Sequence, residues 1–154
     1  MSKSLPRILL AEDNEADVYM IQKALATHVG QVELQVFNNG EAAMRLVERV
    51  LKGADVLPDL ALIDLNLPRF DGLEILQRLR EVPGREQLMV VVVTSSDAPQ
   101  DRKDALELGA NHYFRKSSDL AQFMEIGALV RNMLAQRSSK SAAANASGDP
   151  SETL

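Results

Sequence analysis

The chain has 154 residues, 45% hydrophobic content and a formal net charge of −5, which suits one domain with a useful core and leaves no room for two. An acidic balance is the wrong sign for general nucleic-acid binding, and the absence of cysteine removes disulfides and thiolate-held zinc or iron–sulfur sites. No signal-peptide or membrane-spanning run is present, so the expectation is a cytoplasmic protein, bound neither to nucleic acid nor to membrane, whose partners are proteins or small anions delivered with a metal.

The apolar run 7–11 reads as a strand that ends in Glu12 and Asp13, and Asn14 can cap a helix reaching about 28, with Val18, Ile21 and Leu25 inward. Asp17 lies near that helix's positive end. Residues 32–37 alternate with period two, as an edge strand does, and Asn38, Asn39 and Gly40 form its turn. A second helix, 41–52, places Met44, Val47 and Leu51 inward and stops at Gly53. The run from Leu60 delivers one carboxylate, Asp64, and turns at Pro68. Asp71 then caps a third helix, with Glu74 three residues on, core residues Ile75, Leu76 and Leu79, and Pro83 and Gly84 at its end. Residues 88–93 are continuously apolar and β-branched, as a central parallel strand covered on both faces requires, and lead into Thr94, Ser95 and Ser96. Asp97 opens a largely polar fourth helix, with Pro99 in its first turn and Gly109 as its stop. The last strand, 111–115, ends in Lys116, and Ser117 or Ser118 can cap a final helix over 119–136. That helix carries two apolar rows, Leu120, Phe123, Gly127, Val130, Leu134 and Ile126, Leu129, Met133. This is more than one stripe needs and suggests self-association. The small, polar residues 137–154 read as a disordered tail after a domain spanning 1–136.

Five strands alternating with five helices imply an α/β, doubly wound parallel sheet with right-handed crossovers, whose site lies at the C-terminal strand edge. Collected there are Glu12 and Asp13, Asp64, Thr94 and Lys116. Taken singly, each is equally well a solvated loop residue. Together, three carboxylates repel one another unless a cation neutralises them or one is protonated, and an all-oxygen set favours Mg2+. With the ion on Glu12 and Asp13, a free oxygen of Asp64 can attack phosphorus and form an aspartyl phosphate. The Lys116 ammonium and the Thr94 hydroxyl would stabilise the transferred group, and Ser95 leaves it room and a backbone N–H. A carboxylate needs no general base for this at neutral pH.

Glu12 and Asp13, the segment from Asp64 through Pro68 to Asp71 and Gly72, Thr94 with Ser95, and the run Tyr113, Phe114, Arg115, Lys116 together resemble the receiver domains of two-component response regulators. The resemblance runs from about Leu5 to Gln136. It implies the flavodoxin-like strand order 2-1-3-4-5 and phosphorylation of Asp64 by a sensor histidine kinase. It also implies Mg2+ held by Glu12, Asp13, Asp64 and the Asn66 carbonyl, a Thr94–Tyr113 switch pair, and a receptor or homodimer face made by the fourth helix, fifth strand and fifth helix. Two departures stand out: Ser117 follows Lys116 where many receivers have proline, and no output domain follows the last helix. With the extended connection before the third strand, the chain is similar to the stand-alone regulators that partner bacterial phytochromes, which tend to dimerise.

The expected activity is thus a phosphorylation-controlled change of protein contacts, with chemistry confined to self-phosphorylation and self-dephosphorylation at Asp64. One alternative is a scaffold that keeps the fold without the phosphate. Another is an aspartyl-phosphate phosphatase of the haloacid-dehalogenase type, against which Asn66 stands where a second Asp is wanted. Nucleotide binding is disfavoured because the first turn is acidic where a Gly-rich cradle is needed. His28 and His112 are separated and make no metal pair, His112 reading as a half-buried strand residue. Arg78, Arg80 and Arg85, interleaved with Glu81 and Glu86, read as a solvated helix face.

Overall fold

The apolar runs pair as five parallel strands, β1 (Arg7–Ala11), β2 (Glu33–Phe37), β3 (Leu60–Ile63), β4 (Met89–Thr94) and β5 (His112–Arg115), in the order β2-β1-β3-β4-β5. In this computed structural model the backbone of residues 4–82 and 88–152 is described, with side chains through 137. Between the strands run α1 (Glu15–His28), α2 (Gly40–Leu51), α3 (Gly72–Leu79), α4 (Pro99–Glu107) and, after β5, α5 (Leu120–Glu152). The doubly wound sheet and its order agree with the sequence reading. No helix among the described residues is long and apolar enough to cross a membrane.

Strand residues alternate between two cores, because successive side chains point to opposite faces. Leu9, Ala11, Ala61, Ile63, Val90 and Val92 face α2 and α3, whereas Ile8, Leu10, Leu60, Leu62, Val91 and Val93 face α1 and α5. Both faces of β3 and β4 are therefore buried, which is why their sequences are apolar without alternation. β2 is the half-exposed edge.

Several local expectations shift. α2 buries Ala43, Leu46, Val47 and Val50, while Met44 and Leu51 lie at the margin of the core, a rotation of the inner face toward the smaller residue at 43. α4 is capped by Ala98 rather than Asp97. Pro99 at the first helical position holds the residue before it extended, so Ala98 takes the cap position and Asp97 is left to pair with Arg115 at 3.5 Å. Asp119, not Ser117 or Ser118, takes the N-terminus of α5: its carboxylate accepts from the Gln122 N–H at 3.2 Å, and its own N–H donates to the Ser117 hydroxyl at 3.0 Å. α5 also continues past 136, where the sequence reading ends it; the alanines at 142–144 are strong helix formers without an apolar stripe. Pro83, Gly84, Arg85 and Glu86 lie outside the described residues, as do the side chains of the expected tail beyond 137.

The two apolar rows of α5 are mostly absorbed inside the molecule. Phe123, Ile126, Val130 and Met133 are buried, and Leu129 and Leu134 pack at the margin of the same core; Leu120 remains exposed. Gly127 explains the depth of the contact: a Cβ there would stand 2.3 Å from the Ala24 carbonyl oxygen of α1. The surplus surface expected to drive self-association is thus largely spent on α1.

Candidate functional site

The strand ends are fixed by ladder bonds that run one residue beyond each strand. Glu12 N–H donates to Phe37 O at 2.9 Å, Asp64 N–H to Ala11 O at 3.0 Å, and Lys116 N–H to Thr94 O at 2.7 Å. Three acidic or basic side chains from β1, β3 and β5 therefore meet at one edge. The carboxylates of Glu12, Asp13 and Asp64 each bring an oxygen within 4.8 Å of the others. Glu12 and Asp64 are buried and Asp13 is exposed, at the floor of an open cleft of about 1050 Å³ that Asp17, Ser95, Ser117 and Lys116 also line.

Lys116 holds this cluster together. Its Nζ lies 2.5 Å from Glu12 Oε1, 2.8 Å from Asp17 Oδ2 and 2.8 Å from Asp64 Oδ2. Burial pushes the ammonium pKa down, and the bonds to Asp17, Asp64 and Glu12 more than offset that, leaving it above the ordinary lysine range. Glu12 goes the other way: burial pushes its carboxyl up to about 7, with the Asp64 charge adding to the rise and Lys116 opposing it. Its Oε2 accepts from the Asn14 N–H at 3.2 Å, whereas Oε1 has the Lys116 ion pair but no well-formed hydrogen bond. A buried carboxylate oxygen left in that condition beside two further acids is the local signature of a site built for a cation. The all-oxygen donor set suits a hard divalent ion.

The loop after β3 is held close under this site. Asp64 Oδ1 accepts from the Asn66 N–H at 3.0 Å, Arg69 takes a left-handed φ of 78°, and Gly72 lies against the Asp64 backbone, where a Cβ would fall 2.2 Å from its carbonyl oxygen. Asp71, as expected, caps α3 by accepting from the Leu73 N–H at 2.7 Å. Gly72→Ala must push this backbone away, so the variant is expected to be destabilised by about 3 kcal/mol, a Tm lower by roughly 10 °C in thermal unfolding followed by circular dichroism.

Thr94 and Tyr113 are linked through Ser96. Thr94 is fully buried and its hydroxyl accepts from the Ser96 N–H at 3.2 Å, while the Tyr113 hydroxyl donates to the Ser96 carbonyl at 3.0 Å. The Arg102 guanidinium sits 5.9 Å from the Tyr113 ring centre. Ser96 in turn donates to Asp101 at 2.5 Å.

Glu12, Asp13, Asp64, Asn66, Ser95 and Lys116 line the one cleft, with Asn66 exposed, whereas Thr94 is fully buried at the end of β4 and Tyr113 is linked to it through Ser96. From the sequence alone Asp17 is only a charge near a helix terminus. Its position in the first turn of the helix leaving β1 was the available signal that it faces the same edge. His112 is exposed rather than half-buried. Among the described residues, the one His, Cys, Asp or Glu group with metal-holding spacing is Glu12, Asp13 and Asp64. Arg80 is no solvated charge: it donates to Gly109 O at 3.1 Å and Leu88 O at 2.9 Å, tying α3 to the turn before β5. Arg78 pairs with Glu48 at 2.8 Å and with Glu81.

A family model described as the response regulator receiver domain matches residues 8–127. Response regulator Rcp1 of Synechocystis sp. is 35% identical over 120 residues, covering 77% of this chain and 82% of that protein; the chain spans only 54% of a longer transcriptional regulatory relative. Among solved structures, the phosphorylated cyanobacterial phytochrome response regulator RcpA is similar with a TM-score of 0.72 at 34% identity, covering 84% of this chain and 91% of that one. The Mn2+-bound form of Rcp1 gives a TM-score of 0.69 at 33% identity, over 79% and 89% of the two chains.

Proposed function

The chain belongs to the response regulator receiver domain family, and from that premise we propose that it accepts a phosphoryl group on Asp64 from a sensor histidine kinase and answers with a change in its protein contacts. The observation that carries the reading is the convergence of the Glu12, Asp13 and Asp64 carboxylates in one cleft, with Lys116 in ion-pair contact with Glu12 and Asp64. In the transfer, an Asp64 carboxylate oxygen forms a bond to phosphorus as the P–N bond to the kinase histidine breaks, the imidazole leaving with the electron pair. Lys116 meets the charge on the phosphoryl oxygens, and Ser95, exposed beside the site, leaves them room.

Glu12, Asp13, Asp64 and the Asn66 carbonyl would hold Mg2+, which supplies charge neutralisation for the phosphoryl oxygens when bound. The Mn2+-bound form of Rcp1 and the oxygen-only donor set support a divalent ion. No external substrate is turned over in this scheme; chemistry is limited to gain and loss of phosphate at Asp64.

The switch runs from the phosphoryl group through Thr94 and Ser96 to Tyr113, since one serine residue bonds both side chains. A pull on the Thr94 hydroxyl by a phosphoryl oxygen displaces the Ser96 N–H and so the carbonyl that holds Tyr113, altering the face made by α4, β5 and α5. That face is the proposed homodimer surface, on which Leu106 is an exposed apolar residue. The likeness to RcpA and Rcp1 makes a bacteriophytochrome the specific kinase candidate.

Phosphotransfer from purified histidine kinases, with Mg2+ present or chelated and solution mass read on the same samples, tests this. Label on the protein only with Mg2+, accompanied by a change in mass, is the expected result. Label independent of any divalent ion, or none from any kinase, overturns it.

A further inference from the structure

Lys116 supplies N–H donors to the phosphoryl oxygens in the mechanism above, and the inference that follows rests on that reading of Asp64. An ammonium has three N–H donors, and Nζ already faces three carboxylates, Glu12 at 2.5 Å and Asp17 and Asp64 at 2.8 Å each. The ammonium is thus ringed by three carboxylates at ion-pair distance before a phosphoryl oxygen arrives. Two of the partners change role when it does: Glu12 belongs to the cation-holding cluster, and Asp64 loses its charge on becoming an acyl phosphate. Asp17 belongs to neither.

Asp17 is also held firmly. It stands in the first turn of α1, where its backbone N–H donates to the capping Asn14 side chain at 3.0 Å, and its carboxylate is three-quarters covered. The chain of Lys116, by contrast, has four rotatable carbons and follows a loop in which Ser117 replaces the proline common at that place. An anchor on α1 therefore decides where the ammonium points.

The geometry points to Asp17 as the positioning residue that keeps the Lys116 ammonium at the site throughout the cycle, so that its other two donors swing from Glu12 and Asp64 onto phosphoryl oxygens. Without it, Nζ has only the Glu12–Asp64 pair, where it competes with the divalent ion, or solvent. Either outcome slows transfer.

The test uses the full chain with acetyl phosphate and Mg2+. Asp17→Ala is expected to lower the maximal rate of Asp64 labelling about tenfold, the scale of one charge-assisted hydrogen bond, and Asp17→Asn, which keeps an acceptor oxygen, to lose less. In a Lys116→Ala background the Asp17→Ala change should add nothing, because both act through one group. A second readout needs no phosphate: in the metal-free protein the Lys116 ammonium is expected to give a slowly exchanging nitrogen NMR signal that Asp17→Ala loses while the helical circular dichroism is kept. Equal rate losses in the two backgrounds, or an unchanged NMR signal, overturn the assignment. Persistent labelling in Asp64→Asn overturns the phosphoacceptor reading instead, and leaves the NMR result standing by itself.

Discussion

Asp64→Asn yields a folded protein that takes up no phosphate and no longer responds to beryllofluoride. The substitution keeps the shape of the side chain and an oxygen able to accept from the Asn66 N–H, now at 3.0 Å, and from Lys116. It removes the nucleophile, so the labelling rate should fall by more than about a thousandfold, a loss that neither kinase nor small phosphodonor repairs. Stability moves little or improves, because one charge of a crowded acidic set is gone. The Asp64 charge is one of the groups holding Glu12 up near 7, so in Asp64→Asn the Glu12 carboxyl moves back toward its ordinary value. Labelling with acetyl phosphate, solution mass with and without beryllofluoride, and a urea melt check the three parts. A mass shift retained in the variant would mean that the fold responds at some other place.

Much of this site could be read before any coordinates because open parallel sheets collect strand ends. Once 60–63 and 8–11 are recognised as buried strands, a charge following each must emerge at the same edge, and Glu12, Asp13, Asp64 and Lys116 do. Asn14 and Asp71 as caps, and Gly53 and Gly109 as left-handed stops, follow from local rules that tertiary packing does not override. What the sequence concealed is set by distances between elements. The pairing of Lys116 with Asp17 depends on how near α1 comes to the loop after β5, a distance that no local pattern records. Arg80 resembles surface charge in the sequence because the Gly109 carbonyl that it binds lies 29 residues away in the chain. The apolar rows of α5 exceed one stripe because α5 packs into a core that also holds Ile21, Ala24 and Leu25 of α1. The cap of α4 moved by one residue because proline constrains its predecessor more strongly than an acidic side chain attracts an N-terminus.

Stripped of divalent ions, the wild-type protein should lose stability as pH rises from about 4.5 to about 7, and Glu12 is the reason. Its carboxyl is raised from 4.5 to about 7 in the fold, chiefly by burial, so between those values the unfolded chain sheds a proton that the folded protein retains. The folded state then binds more protons, and stability falls with pH. The contribution is whole below the ordinary value, is lost as pH passes the raised one, and amounts to a few kcal/mol, on the order of 3. Lys116 remains charged across the window and adds no slope there. Glu12→Gln removes the titrating group, so the difference in urea stability between wild type and variant, measured in chelator at pH 5 and pH 8, should shift by that amount in favour of the variant at the higher pH. A divalent ion reverses the penalty, since it binds the deprotonated carboxylate. Its affinity should weaken as pH falls below 7, approaching tenfold per unit, and this dependence should vanish in Glu12→Gln together with most of the affinity. Parallel pH profiles for the two proteins in chelator would show that Glu12 ionises in the fold as easily as in the unfolded chain. The buried oxygen beside Lys116 would then be satisfied without any ion, and the case for a cation at this strand edge would rest on the relatives alone.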